Sequence, residues 1–289
     1  MSAIETIRDR ALAGVREREQ RDSFARVKQL AEAAPTPKDG YRALRCGPGA
    51  VSIMAEIKRS SPGTGPLARI EDPAQLAAEY EAGGARAISC LTAAYRYGGA
   101  LSDLDAVSQA VSIPVLRKDI ILTPYQIHEA RAHGADMILL IVSFLNDDQL
   151  RGFVERTTSL GMTPVVEAHS RLEALRAIDS GARVIGINAR DLLSNHIDRD
   201  NFSQVVDVLP ADVVAVAESG VRDPRDVFEY ASAGADCVLI GEALVTSKTP
   251  RTLVGEMVSA AQHPAILDDR KERVKRTVHQ RHSDGFHLR

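Results

Sequence analysis

From Ser52 onward the chain is punctuated by eight short apolar, β-branched runs: SIMAEI, RAISCL, IPVLRK, DMILLIV, TPVVEA, RVIGIN, VVAVAE and CVLIGE. Their apolar positions are continuous rather than alternating, which predicts strands buried on both faces, and the amphipathic stretches between them predict helices. Before Ser52 no strand signal occurs. Ile4, Ile7, Ala11 and Val15 recur at helical spacing, as do Phe24, Val27, Leu30, Ala31 and Ala34 ahead of the break at Pro35 and Pro37, so a helical extension is expected there.

An internal repeat organises the strands. AGGARAISCL, AHGADMILLI, DSGARVIGIN and SAGADCVLIG align on Gly84, Gly134, Gly181 and Gly234, at steps of 50, 47 and 53 residues. Each member predicts a helix end, a glycine in the left-handed conformation and a buried strand. One further strand lies between successive members, so four units make eight βα modules. Parallel pairing with right-handed crossovers then closes as a (β/α)8 TIM barrel with an N-terminal helical extension. The competing open doubly wound sheet usually opens on GxGxxG, whereas the first run here is followed by IKRSSPGTGPL. The expected division is 1–50 for the helical extension, 51–263 for the catalytic barrel and 264–289 for a charged tail of low apolar content, solvated or helical on the surface. In that tail His279 and His282 stand three apart, a weak metal signal without a third ligand.

Composition narrows the classes. With 36 basic against 39 acidic residues the net charge is −3, which speaks against an extended nucleic-acid surface. Cys46, Cys90 and Cys237 cannot all pair with one another, which suits a reducing compartment. The N-terminus carries charges where a secretory segment needs an apolar run, and no apolar run reaches the roughly 18 residues of a membrane span. A cytoplasmic protein with no membrane or nucleic-acid partner is expected, a monomer with a weak dimer as the alternative.

A barrel of this kind keeps its chemistry at the C-terminal strand ends. There the chain places Glu56 and Lys58 (first run), Lys118 and Asp119 (third), Glu167 (fifth), Asn188 and Arg190 (sixth) and Glu218 and Ser219 (seventh). Ionisable groups at the ends of buried strands cost several kcal/mol unless paired, so this convergence points to function rather than packing. Glu56 and Lys58 share a face, as do Asn188 and Arg190 if the strand extends that far. A lysine among carboxylates suits general-acid or Schiff-base work, and a glutamate in a partly dry pocket suits general-base work. ESG at Glu218–Gly220 and IGE at Ile240–Glu242 expose backbone N–H groups after the last two strands, where barrels commonly bind phosphate, and Ser61 can close the same region. Tyr95 and Tyr97 either line a ring pocket or pack a turn, and His169 either orients Glu167 or serves its loop.

The motifs AEIKRSSPGTGPL, PVLRKDIILTPYQIHEARAHGADMILLI, VVEAHS, GINARDL and AESGV, in this order and spacing, resemble indole-3-glycerol phosphate synthases from about Ile4 to Ala260. The resemblance implies a (β/α)8 lyase of tryptophan biosynthesis. It would close the indole ring of 1-(2-carboxyphenylamino)-1-deoxyribulose 5-phosphate with loss of carbon dioxide and water, without metal or cofactor. It implies Lys118 as general acid, Glu167 as general base, Asn188 beside that base, Lys58 as anion clamp and helper of hydroxide departure, and Glu56 steadying the lysines. Arg190 and Glu218 would complete the charge network. Ser61, Ser219, Gly220, Gly241 and Glu242 would surround the phosphate, with Tyr97 and Ile120 against the substrate ring.

Four positions depart from the family pattern. Ile120 stands where an aromatic is usual, Ala93 where a carboxylate is usual, Gly63 where SPS has its second serine, and Ala189 where a second asparagine often follows. They touch wall and rim rather than the charged centre, and leave three rivals open: a divergent paralogue for a substituted anthranilate, a Schiff-base lyase or isomerase of another sugar phosphate, and a non-catalytic barrel that binds a tryptophan-pathway partner.

Overall fold

The eight runs form the eight strands of a closed parallel barrel. The computed structural model describes residues 3–47 and 49–284. Strands β1 (Ser52–Ile57), β2 (Ala87–Leu91), β3 (Val115–Lys118), β4 (Met137–Ile141), β5 (Thr163–Ala168), β6 (Val184–Asn188), β7 (Val214–Glu218) and β8 (Cys237–Ile240) each pair with their chain neighbours. β8 closes on β1 in the register Ser52↔Cys237 to Ala55↔Ile240. The strands are buried along almost their whole length, as expected of apolar runs enclosed by a ring of helices. The repeat glycines do what their spacing predicts: Gly84, Gly134, Gly181 and Gly234 have φ of 103°, 79°, 85° and 113°, a region that side-chain-bearing residues enter only with strain.

Two of the four repeats place an aspartate just ahead of the strand, and each carboxylate holds a piece of the barrel's floor. Asp136 accepts from Val115 N at 2.9 Å and from Lys38 N at 2.7 Å; Asp236 accepts from Ala215 N at 2.9 Å and from Arg270 Nη1 at 2.7 Å. Lys38 belongs to the N-terminal extension and Arg270 to the final helix, so both ends of the chain are moored by equivalent carboxylates.

The extension consists mainly of α1 (Ala3–Arg21) and α2 (Phe24–Ala33), separated by Asp22 and Ser23, and the Ser23 hydroxyl caps α2 by accepting from Arg26 N. Val15 and Val27 pack with Tyr125 of the helix Pro124–Ala132 in a small apolar cluster. Of the two forms expected of the tail, solvated or helical on the surface, Arg270–Asp284 takes the helical one. Arg273 is buried and donates to Ala231 O and Ala235 O, and Arg270 Nη1 also reaches Val213 O. Low apolar content is offset by guanidinium groups that satisfy orphan carbonyls. The side chains of His279 and His282 lie outside the described residues. Among the described residues no helix is long and apolar enough to cross a membrane. All three cysteines are free thiols. A two-residue hairpin, Ser60–Ser61 against Gly65–Pro66, follows β1 and was not expected from the sequence.

Candidate active site

Because successive side chains of a strand alternate between faces, the residue at a strand's end fixes what enters the barrel mouth. Lys118 is the last residue of β3 and points inward, while Arg117 before it points outward into the helix shell. Glu167 near the end of β5 and Glu218 at the end of β7 project to the same level as Glu56 of β1. Lys118 Nζ lies 2.6 Å from Glu218 Oε2, 3.6 Å from Glu56 Oε1 and 3.8 Å from Glu167 Oε2. Lys58, one residue beyond β1, places Nζ 2.7 Å from Glu56 Oε2. Five ionisable groups from four strands thus form one network, with Lys118 as its centre.

Asn188, at the end of β6, connects the network to the next loop. Its Nδ2 donates to Glu167 Oε1 at 3.1 Å, and its Oδ1 accepts from Ser219 Oγ at 2.8 Å and from Arg190 N at 2.9 Å. Ser219 holds a left-handed φ of 70°, strain of about 1 kcal/mol or more for a non-glycine residue. The bond to Asn188 and a 3.0 Å bond from Tyr230 Oη to Ser219 O keep it there. β6 stops at Asn188, so Arg190 does not share its strand; it sits instead on an isolated bridge with Ile197.

The electrostatics follow from depth. Burial alone would lower the proton affinity of Lys118, but Glu218, Glu56 and Glu167 outweigh it and hold the ammonium above the ordinary lysine range. Burial pushes Glu167 upward, yet the close His169 ring, the Lys118 charge and the Asn188 amide bring it down to about 2. Glu56 is also lowered, burial being overcome by Lys58 and then Lys118. Glu218 goes the other way, raised to about 7 chiefly by burial, with the nearby Glu167 adding to it against the pull of Lys118. Near neutral pH the network therefore holds a protonated lysine, an ionised Glu167 and a third carboxyl at the point of taking up a proton.

A cavity of about 570 Å³ opens over this network, a size suited to a small organic ligand. Every site residue expected from the sequence lines it except Glu218, which lies beneath Lys118. Ser61, Ser219, Gly220, Gly241 and Glu242 form one polar end. The Glu242 carboxylate accepts from Thr64 Oγ1 at 3.2 Å, so the backbone N–H that opens the short helix Glu242–Val245 is what this residue can offer a ligand. The opposite wall is Ile120, Phe144, Leu91, Ala93 and Tyr97. Tyr95 and Tyr97 both line the cavity, and His128 and His133 sit between helices, against Phe24 and Asp105.

Sequence reasoning missed two features. The first is that α1 reaches the mouth: Ile7, Arg10, Ala11, Gly14 and Arg18 line the cavity, on much the same stripe that reads as a helix face. The second is Arg117, fully buried and paired with Asp119 at 2.9 Å and Glu129 at 3.0 Å. Glu129 also accepts from Arg18 of α1 at 2.7 Å. An arginine inside an apolar strand was the available signal.

The family profile for indole-3-glycerol phosphate synthase matches residues 4–257. The chain belongs to the indole-3-glycerol phosphate synthase family. Among curated relatives, the indole-3-glycerol phosphate synthase of Mycolicibacterium gilvum (strain PYR-GCK) is 55% identical over 264 residues, covering 90% of this chain and 96% of that one. That of Parafrankia sp. (strain EAN1pec) is 53% identical, covering 92% and 98%. Indole-3-glycerol phosphate synthase 1 of Streptomyces coelicolor is 52% identical, covering 93% and 100%. Among solved structures, thiamine phosphate pyrophosphorylase from Pyrococcus furiosus superposes with a TM-score of 0.58 at 16% identity, over 77% of this chain and 98% of that chain. At that identity the likeness concerns the barrel fold alone.

Proposed function

We propose that the chain is an indole-3-glycerol phosphate synthase acting on 1-(2-carboxyphenylamino)-1-deoxyribulose 5-phosphate. The observation that carries the reading is the pairing of Lys118 and Glu167, 3.8 Å apart, at the floor of a cavity with a polar end and an apolar wall, in a chain of this family. In the first step the ring carbon bearing the carboxylate attacks the ketose carbonyl carbon while Lys118 Nζ gives its proton to the carbonyl oxygen. Carbon dioxide then leaves, and the electron pair of the broken bond restores the aromatic ring. In the second half the new hydroxyl departs as water with a proton from Lys58, while Glu167 takes a proton from the carbon beside the nitrogen, completing the indole. Of the two protons the lysines give up, one returns by way of Glu167 and one comes from solvent.

Ser61, Ser219, Gly220, Gly241 and Glu242 bind the phosphate, Arg190 and Lys58 the remaining anionic charge, and Tyr97 and Ile120 flank the ring. Glu218, which does not line the cavity, acts through Lys118, and Glu56 steadies both lysines. A Schiff base at Lys118 would need the neutral amine, which three carboxylates oppose. The tryptophan-pathway setting follows from the product.

Incubating the protein with this substrate and following indole fluorescence tests the reading. Turnover by the native chain, with Glu167→Gln slower by roughly 10²–10⁴-fold as for loss of a general base, supports it; no indole from the folded native chain overturns it. Gly186→Ala probes Glu218 from below. A Cβ on Gly186 would overlap Glu218 Oε1, forcing that carboxylate to shift against Lys118. About tenfold loss of kcat with little change in KM is expected, since a misplacement of this order is costly to chemistry rather than to binding; unchanged kcat would mean the site tolerates the shift.

A further inference from the structure

His169 follows Glu167 by two residues, just past the end of β5, and the mechanism above gives it no task. Its ring stands between two carboxylates. Nε2 is 3.2 Å from Glu167 Oε1, within ion-pair range though not aligned as a full hydrogen bond, and Nδ1 is 3.3 Å from Glu173 Oε2. Glu173 is fixed in turn, because the same Oε2 accepts from His169 N at 2.7 Å. The loop is held from the other side by Asn201, whose Nδ2 donates to His169 O at 3.2 Å and to Asn188 O at 3.0 Å. A neutral imidazole has one N–H and one lone pair, so it can meet only one of two carboxylates as a donor; a ring with a carboxylate oxygen near each nitrogen is satisfied when both nitrogens carry protons.

We propose that His169 is a positioning residue: as an imidazolium clamped between Glu167 and Glu173, it fixes the orientation of Glu167 and keeps that carboxylate ionised and ready to accept a proton. The role rests on the reading of Glu167 as the general base. The clamp complements Asn188, which meets the same oxygen, Glu167 Oε1, and leaves Oε2 on the Lys118 side.

The charged surroundings agree with this arrangement. Facing the ring are Glu167 from β5 and Glu173 from the helix Arg171–Asp179, with Asp191 of the loop after β6 at longer range. Facing Glu167 from the other strands are Lys118, Glu56 and Glu218, with Tyr97 from the loop after β2. Burial disfavours the imidazolium, but Glu167 and Glu173 outweigh it and raise His169 to about 10. The ring thus stays charged throughout the neutral range. Removing its positive charge must raise the proton affinity of Glu167, which now sits at about 2.

Two variants and one measurement independent of turnover test this. In His169→Asn, kcat at neutral pH should fall about tenfold with KM within about twofold, since orientation and not binding is lost. The acid limb of the kcat profile should also move up by one pH unit or more. Glu173→Gln keeps an acceptor for His169 N but removes the charge behind the ring; the ring should lose its second proton at a lower pH than in the native protein, while the acid limb does not move up, because the ring is still charged where Glu167 titrates. A merely structural histidine would lower thermal stability in both variants and leave the limb of His169→Asn in place, and that result overturns the proposal. In the native protein, the ¹⁵N resonances of His169 at pH 7 should be those of a doubly protonated ring; a neutral ring overturns the proposal whether or not the substrate assignment holds. If the native chain makes no indole yet the ring is doubly protonated, the clamp stands and the substrate reading fails.

Discussion

Lys118→Ala should lower turnover by roughly 10²–10⁴-fold, the range for loss of a general acid or base, while the barrel still folds. The loss should appear in kcat more than in KM, because the proton is given as the new bond forms and Lys58, Arg190 and the polar end of the cavity remain to hold the anion. Survival of the fold follows from Glu218. With its pKa already at about 7, that carboxyl answers removal of its cation by keeping its proton rather than by standing charged in the core. This gives the stability change a sign. In solution-exposed chains glutamate titrates near 4.3, so a carboxyl whose affinity is raised by folding costs nothing below that pH and costs progressively more as pH rises towards its folded value. In the native protein the rise ends at about 7; in the variant it continues beyond. Chemical denaturation should therefore show a wider gap between native and Lys118→Ala proteins at pH 8.5 than at pH 5.5, by up to roughly tenfold in the folding equilibrium constant for each pH unit crossed above the native value. Near-native kcat in the variant would remove the proposed mechanism, and a gap that is constant with pH would remove the account of Glu218.

Arg117→Met should cost about 3–5 kcal/mol of stability, the usual penalty for breaking a buried ion pair on one side only. The guanidinium has no exposed surface and serves Asp119, Glu129, the Thr92 hydroxyl and Gln126 O together. Two of its partners keep other contacts: Asp119 still accepts from Thr92 Oγ1 at 2.8 Å and Ile120 N at 2.8 Å, and Glu129 still has Arg18. The expected loss therefore falls at the lower end of that range. It should appear as a lower denaturant midpoint at unchanged slope; a loss below about 1 kcal/mol, the worth of an ordinary surface pair, would show that the network is solvated in practice.

Arg117 also marks where the sequence stops being legible. Strand positions, their parallel order and the repeat glycines were readable because they depend on local periodicity and on a left-handed turn that recurs four times. The barrel rule then assigns Glu56, Lys118, Glu167 and Asn188 to one mouth from strand ends alone. Depth was not readable. That Glu218 lies beneath Lys118 rather than facing the cavity depends on side chains from four strands settling against one another. The continuation of β6 to Arg190 failed because the ladder ends with Ala189 N on Glu218 O, and the Asn188 side chain, not the ladder, takes the Arg190 N–H. Likewise α1 was legible as a helix but not as part of the mouth, since the stripe that packs on a barrel and the stripe that roofs a cavity have the same period. His169 was ambiguous until Glu173 was seen behind it.

The carboxylates at Asp136 and Asp236 have a further meaning. The second and fourth repeats share Gly-Ala-Asp, whereas the first and third read Gly-Ala-Arg, at Arg86 and Arg183, so the pattern recurs over half the circumference. The molecule is thus laid out as two similar halves, each with its own berth for a flanking segment. From the first berth the leading segment climbs to the rim and joins the chemistry; from the second the trailing helix stays below. Trimming the front of the protein should therefore be felt in catalysis, and trimming the back only in durability.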